Sequence, residues 1–278
     1  MNSVSTSIDT SRGPWSRRLF YVGIGLVCTT LVALFVLHQP GSPLQLIRAD
    51  QFLVQGDVDR ALALYQNESK MGWTQSHRRF AHERVASIFS VEKDKEQSAA
   101  QEWETLANQS GTDARERARY WTNAATHYVI DGTAPDRAAE AFLQAAQSTG
   151  ADAESASLAW MAGQQWLRSG SPERAEKIWI DVSSAGPVYR SKALLSLGKL
   201  NLGLGHTEEA LSWFEDAVNS AKTDAQRVNA KMGVQISLER LGNLDEAIAE
   251  LNETGLSEAL RDVRAQKMLE RSEKLQME

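Results

Sequence analysis

The sequence is poor in cysteine, in proline and in strand signals. Its 278 residues include a single cysteine, Cys28, so the chain can form no internal disulfide and no cysteine-based metal site. Only six prolines occur. Long alternations of β-branched and polar residues are missing, which argues against a sandwich or barrel of many short strands. A charged fraction of 24% and a hydrophobic fraction of 42% are ordinary for a folded chain. Together these features predict an all-α fold.

An excess of positive charge and a recognisable catalytic motif are also missing. The net charge of −6 disfavours general binding of nucleic acid, because that affinity comes largely from neutralising phosphates. Neither a Gly-x-Ser-x-Gly sequence nor a Walker-type loop occurs. His77 and His82 are five residues apart, a spacing that does not align them on one helical face as a zinc-binding pair requires. We therefore predict no catalytic, cofactor-binding or metal site, no enzyme activity and no nucleic-acid partner.

One long apolar run is present near the amino terminus. Leu19–Leu37 is 19 residues long and uncharged. As a helix it would span about 28 Å, close to the hydrocarbon thickness of about 30 Å. Arg17 and Arg18 precede it, and the positive-inside rule then places the amino terminus in the cytoplasm. The sequence predicts a single-pass inner-membrane protein with a periplasmic body. A cleaved signal peptide is the less favoured alternative, because its apolar run is usually about 7–15 residues long.

The strongest pattern is a repeat. A turn residue is followed five residues later by Ala, and four residues after that by a large apolar or aromatic residue. Clear copies are Gly170–Ala175–Trp179 and Gly205–Ala210–Phe214. The turns recur every 35 to 38 residues, a period typical of stacked helical hairpins. The six predicted turn residues are Gly56, Asp94, Gly132, Gly170, Gly205 and Gly242.

These residues resemble tetratricopeptide repeats. Such repeats have small residues in the first helix, Gly at the turn, Ala and then an aromatic residue in the second helix, and a closing proline such as Pro187. The resemblance implies an α-α superhelix of about six hairpins that binds proteins, and the layout is similar to that of bacterial inner-membrane tetratricopeptide proteins. The predicted segments are a cytoplasmic tail (1–18), a transmembrane anchor (19–38), a linker (39–44), the repeat domain (45–255) and a capping helix (256–278).

The resemblance also implies where a partner would bind. Repeat arrays of this kind bind through the concave face, which the first helices of the hairpins form. Fixed offsets from the turns project five basic residues and one acidic residue onto that face. We therefore predict a groove for an acidic or C-terminal peptide. Its residues are Arg119, Thr122, Trp160, Gln164, Arg168, Lys192, Leu195, Lys199, Asn229 and Arg240.

The function predicted from the sequence is that of a membrane-tethered adaptor or scaffold. It would bind protein or peptide partners near the membrane, on the periplasmic side. Two alternatives stay open at this point. One is a cytosol-facing, signal-anchored receptor for preproteins or chaperones, and the other is a structural protein whose repeats associate into a homo-oligomer.

Overall fold

The computed structural model describes residues 26–33, 35, 39–150, 153–253 and 266. From residue 43 to residue 253 the described chain contains twelve α-helices, and no strand occurs in the described ranges. The prediction of an all-α fold is confirmed. The helices are α1 (Pro43–Val54), α2 (Val58–Met71), α3 (Gln75–Phe89), α4 (Glu96–Asn108), α5 (Ala114–Asp131), α6 (Pro135–Thr149), α7 (Ala153–Arg168), α8 (Pro172–Ala185), α9 (Pro187–Leu204), α10 (Thr207–Ser220), α11 (Asp224–Leu241) and α12 (Leu244–Glu253).

Six tight turns separate the paired helices, at the positions that the repeat pattern predicts. Five are glycines with φ between +72° and +86°. The sixth, Asp94, has a φ of +65° and is the only non-glycine residue with positive φ in the described part of the chain. Glycine adopts this left-handed conformation without a Cβ clash, and aspartate is among the few other residues that tolerate it. The turn at Asp94 therefore preserves the repeat without a glycine. The five glycines are Gly56, Gly132, Gly170, Gly205 and Gly242.

Proline marks the starts of helices. Pro43, Pro135, Pro172 and Pro187 each occupy one of the first two positions of a helix. Proline is favoured there because its fixed φ suits the helix and its missing N–H would have no partner within the helix. Four of the six prolines therefore help to define the helix boundaries.

The chain forms two compact units whose boundary falls between Ile88 and Phe89. In the first unit α1 packs against α2. The chain before α1 is held by Glu68, which is fully buried and accepts a hydrogen bond of 2.8 Å from the backbone N–H of Gly41. Burial raises the pKa of the Glu68 carboxyl, although the bond from Gly41 opposes this shift. The start of α1 is thus fixed to the end of α2.

In the second unit each helix packs against the next along the chain, from α4 to α12. Helix α9 also contacts α7 and α11, so the first helices of successive hairpins lie side by side. The second helices supply buried aromatic side chains, of which Trp179 on α8 is 2% exposed and Phe214 on α10 is 1% exposed. The chain therefore has a tetratricopeptide-like fold, as its repeats predict.

Two of these aromatic rings lie directly against glycines. A Cβ atom on Gly163 would lie 2.3 Å from Nε1 of Trp179. Phe214 lies between Gly198 of α9 and Gly233 of α11, where a Cβ atom would come within 2.6 Å and 2.3 Å of the ring. Glycine inside a helix costs about 1 kcal/mol relative to alanine. Close packing of the rings onto these helices offsets that cost.

The predicted membrane anchor requires a correction. Within the described ranges, no helix is long and apolar enough to cross a membrane. The prediction of a single-pass inner-membrane protein, with a cytoplasmic amino terminus and a periplasmic repeat domain, is wrong by this finding. Residues 26–33 and 35 of the apolar run are described, and they are helical. The rest of Leu19–Leu37 lies outside the described residues.

The predicted cytoplasmic tail and the predicted capping helix also lie outside the residues that the structure describes. The tail over residues 1–18 is wholly outside them. The capping helix over residues 256–278 is outside them except for residue 266. These boundaries stay predictions.

Candidate peptide-binding groove

Most of the predicted groove residues lie together in the second unit. A groove of about 610 Å³ opens along α9, with α7 on one side and the start of α11 on the other. We call it the α9 groove. Seven of the ten predicted residues line it, namely Trp160, Gln164, Arg168, Lys192, Leu195, Lys199 and Asn229.

The other three predicted residues lie elsewhere. Arg119 and Thr122 line a separate hollow near the start of α5, together with residues from the end of α6. Arg240, near the end of α11, donates a hydrogen bond of 2.8 Å to the backbone oxygen of Leu202. The fixed offsets therefore gather the residues of α7, α9 and the start of α11, but not those of α5 or the end of α11.

The α9 groove is cationic. Arg168, Lys192 and Lys199 are exposed, and no carboxylate is among the described residues that line the groove. Across the ranges that the structure describes, none of these three side chains has a carboxylate within ion-pair distance. In a chain with a net charge of −6, this surface concentrates positive charge that no internal anion neutralises.

Two aromatic rings hold Lys192. Its Nζ lies 5.4 Å from the centre of the Trp160 ring and 4.8 Å from the centre of the Tyr189 ring. The two ring centres are 6.3 Å apart, with an interplanar angle of 44°. Cation–π contacts of this kind are worth about 0.5–1 kcal/mol at exposed sites. They use no N–H donor, so the ammonium group can still donate hydrogen bonds to an anion.

Trp160 is itself fixed by hydrogen bonds. Its Nε1 donates to Oγ of Ser196 over 3.0 Å, and that hydroxyl donates to the backbone oxygen of Lys192 over 2.9 Å. Beneath it, Nε1 of Trp179 donates to the backbone oxygen of Trp160 over 3.2 Å. The apolar wall of the groove is therefore held in place before any ligand arrives.

One polar atom at the groove has no partner. Gln165 is 7% exposed and lines the groove, and within the described structure its Oε1 is buried without a hydrogen-bond partner. An unpaired buried acceptor costs about 1–3 kcal/mol. A ligand N–H reaching this atom would recover that free energy. Gln165 is therefore a candidate contact for the backbone of a bound peptide.

Sequence reasoning misses Gln165, Tyr189 and Ser196. Gln165 lies five residues before the turn glycine, between the projected offsets. Tyr189 and Ser196 are three residues before and four residues after Lys192, a spacing that places side chains next to each other on a helix. Helical spacing from Lys192 was therefore the available signal for these two residues.

A second polar cluster in the same unit has its charges internally paired. The Tyr128 hydroxyl donates to Oε2 of Glu104 over 2.8 Å, and the guanidinium of Arg137 donates to the same oxygen over 2.7 Å. Burial, and then the bond to Glu104, raise the pKa of the Tyr128 phenol. We call these three residues the Glu104 network. Because its cation already has an anion, it is a weaker candidate for binding an acidic ligand.

A serine–histidine contact also occurs, between the α3–α4 connection and α5. Oγ of Ser90 lies 2.8 Å from Nε2 of His127, and it accepts a hydrogen bond of 3.2 Å from Nε1 of Trp103. Nδ1 of His127 is buried and has no partner within the described structure. A catalytic triad needs a third group that orients the imidazole through that nitrogen. The pair is better explained as part of the packing of α5.

Comparison with known proteins finds similar solved structures at low sequence identity. No family model and no curated protein matches the chain. A crystal structure of MamA is 16% identical with a TM-score of 0.41, over 62% of this chain and 93% of that one. BtubC from P. vanneervenii is 14% identical with a TM-score of 0.48, over 76% and 85%. Tetratricopeptide-like repeats of a Podospora anserina protein described as a kinesin light chain are 13% identical with a TM-score of 0.46, over 68% and 97%.

Proposed function

We propose that this protein is a non-enzymatic adaptor whose α9 groove binds an acidic segment of a partner protein. The observation that carries the proposal is the set of three cations, Arg168, Lys192 and Lys199, which have no carboxylate partner in the described structure. Hydrogen bonds between a cation and a carboxylate are about twice as strong as neutral ones. Trp160 and Leu195 add apolar contact area between the charges.

The spacing of the lysines limits which segments fit. Lys192 and Lys199 are seven residues apart on α9, which separates them by about 10.5 Å along the helix axis. A matching segment needs two carboxylates at a similar distance. In a helix these are residues i and i+7, and in a polyproline II conformation they are residues i and i+3, about 9 Å apart. The Gln165 acceptor favours a ligand that also offers a free N–H.

The test uses a fluorescein-labelled peptide, Gly-Glu-Leu-Ser-Glu-Gly, with a control in which both glutamates are lysine. Fluorescence anisotropy with the full chain should show binding of the acidic probe, weaker at high salt, and little binding of the basic probe. A variant with R168E, K192E and K199E should lose about 100-fold in affinity, since three favourable charge contacts become repulsive. Circular dichroism checks that the variant is folded.

The matched control reverses charge outside the groove. Lys93 and Lys95 are exposed beside the turn at Asp94 and do not line the α9 groove. The K93E/K95E variant should bind the acidic probe as the unchanged protein does. Unchanged affinity in the folded groove variant, or equal binding of the acidic and basic probes, would overturn the proposal.

A further inference from the structure

The outer face of α10 carries the opposite charge to the α9 groove. Helix α10 has no basic residue, and its exposed side chains include four carboxylates. In the described structure none of these four forms an ion pair. The unit that begins at Phe89 therefore has both a cationic groove and an anionic helix face, each without an internal partner. The four carboxylates belong to Glu208, Glu209, Glu215 and Asp216.

The two surfaces also share a register. On α9 the order is Lys192, Leu195, Ser196 and Lys199, all of which line the groove. On α10 the same offsets give Glu208, Leu211, Ser212 and Glu215, of which Leu211 is half-buried and the others are exposed. In each helix the outer pair is seven residues apart, so it lies on one face with about 10.5 Å between its members. Two lysines and two glutamates can therefore meet at the same time.

A chain cannot make this contact with itself. The inner face of α10, with Ala210, Phe214 and Ala217, is buried, and Phe214 packs against Gly198 of α9 and Gly233 of α11. No residue of α10 lines the α9 groove. The carboxylate face and the groove thus belong to different surfaces of the unit.

We propose that the α9 groove binds the α10 face of a second copy of this chain, an inference that rests on the proposed function of the groove. One copy supplies the lysine pair and the next supplies the glutamate pair. Such a contact joins two different surfaces, so each copy in a pair keeps one surface unused. Repetition of the contact gives a ring or an open chain rather than a closed dimer.

Sedimentation velocity of the full chain tests this assembly. The buffer contains a non-ionic detergent, because the apolar run over residues 19–37 could otherwise associate by itself. The unchanged protein should form species larger than dimers as concentration rises, and high salt should shift it toward the monomer. K192E/K199E and E208K/E215K should each raise the dissociation constant by about tenfold or more.

Mixing the two variants gives the sharpest result. In each variant the groove and the α10 face carry the same charge, so neither should assemble by itself. Between the two variants both contacts join opposite charges, so the mixture should form alternating assemblies larger than a dimer. A protein that carries all four substitutions should assemble again. The control E173K/D181K changes two exposed carboxylates of α8 and should leave assembly unchanged. A monomeric unchanged protein, or a mixture that assembles no further than the separate variants, would overturn the inference.

The same variants separate this inference from the proposed function. E208K/E215K keeps the α9 groove and should still bind the acidic probe. If it binds the probe and yet assembles as the unchanged protein does, self-association through α10 is wrong and the adaptor proposal stands. If the probe also fails to bind, the proposed function itself is wrong.

Discussion

Arg137 and Lys192 each lie over an aromatic ring of a neighbouring residue, but only Arg137 also reaches a carboxylate. The guanidinium of Arg137 is 5.2 Å from the centre of the Tyr128 ring and 2.7 Å from Oε2 of Glu104. Nζ of Lys192 is 4.8 Å from the centre of the Tyr189 ring and has no ion-pair partner in the described ranges. Arg137 therefore has a cation–aromatic contact together with an internal anion, whereas Lys192 has such contacts without an anion.

This difference separates charges that stabilise the fold from charges that can bind a partner. Removing Glu104 leaves the buried Tyr128 hydroxyl without its acceptor, which costs folding free energy. Removing an exposed cation that has no anion costs the fold little, because surface changes usually stay within about 0.5 kcal/mol. The Glu104 network should therefore control stability, and the α9 groove should control binding.

The largest expected effect concerns the packing beneath the two regions. Ala125, near the Glu104 network, and Gly163, near the α9 groove, occupy the same repeat position, seven residues before the turn glycine of their hairpins. We expect Gly163→Ala to lower the free energy of unfolding by about 2–3 kcal/mol, because the new Cβ overlaps Trp179. Ala125→Gly should cost about 1 kcal/mol through helix propensity. Urea unfolding followed by circular dichroism measures both, and a smaller loss for Gly163→Ala than for Ala125→Gly would contradict this packing.

Glu104→Ala should lower the free energy of unfolding by about 2 kcal/mol. It leaves the Tyr128 hydroxyl, on a side chain that is 1% exposed, without its acceptor, and Arg137 without its anion. Glu104→Gln keeps an acceptor oxygen and should cost about half as much. Urea unfolding is again the measurement. Equal stability of the Ala variant and the unchanged protein would show that the network does not support the fold.

Replacing each cation by methionine sharpens the comparison in both directions. Lys192→Met should change the free energy of unfolding by less than about 0.5 kcal/mol and weaken binding of the acidic probe about fivefold. Arg137→Met should do the reverse, with a loss of about 1 kcal/mol in stability and unchanged probe affinity. Anisotropy and urea unfolding of both variants provide the four values. Similar behaviour of the two variants would remove the distinction between the regions.

The smallest effect is a pH dependence of stability that comes from His127, the residue next to Tyr128 on α5. Burial lowers the pKa of His127, and the nearby Glu96 offsets part of that shift. Below the ordinary histidine pKa of about 6.5, the unfolded chain binds a proton that the folded chain does not. The free energy of unfolding therefore decreases as the pH is lowered, until the pH is below the pKa of His127 in the folded chain. His127→Gln should flatten the dependence of the urea midpoint between about pH 7 and about pH 5. An unchanged slope would contradict this assignment.

The repeat pattern predicts the helices and turns well, because it records local geometry. Gly132 and Gly205 stand where the backbone needs positive φ, and Asp94 takes the same conformation at the one turn that lacks a glycine. The offsets from the turns also gather Trp160 and Lys199 into one groove, since residues at equal heights on neighbouring first helices lie close together. Whether that groove binds a partner stays a prediction.

What the sequence does not reveal depends on contacts between distant residues. Glu104 meets Tyr128 and Arg137 across 24 and 33 residues, at positions that the repeat pattern does not mark. The missing partner of Gln165 becomes visible only when its surroundings are known. The membrane prediction rested on the length and apolar character of residues 19–37 and on the flanking Arg17 and Arg18, and the described helices do not support it. The repeat pattern thus predicts which residues share a surface, whereas the hydrogen-bond and ion-pair partners of a side chain are known only from the structure.

The most direct test of the central claim is hydrogen exchange of the full chain with and without the acidic probe. Binding in the α9 groove should slow amide exchange in α7 and α9, because both helices line the site. Exchange around Glu104, Tyr128 and Arg137 should not change, and the R168E/K192E/K199E variant should show no protection at all. Unchanged exchange in α7 and α9 at saturating probe, or protection confined to the Glu104 network, would contradict the account.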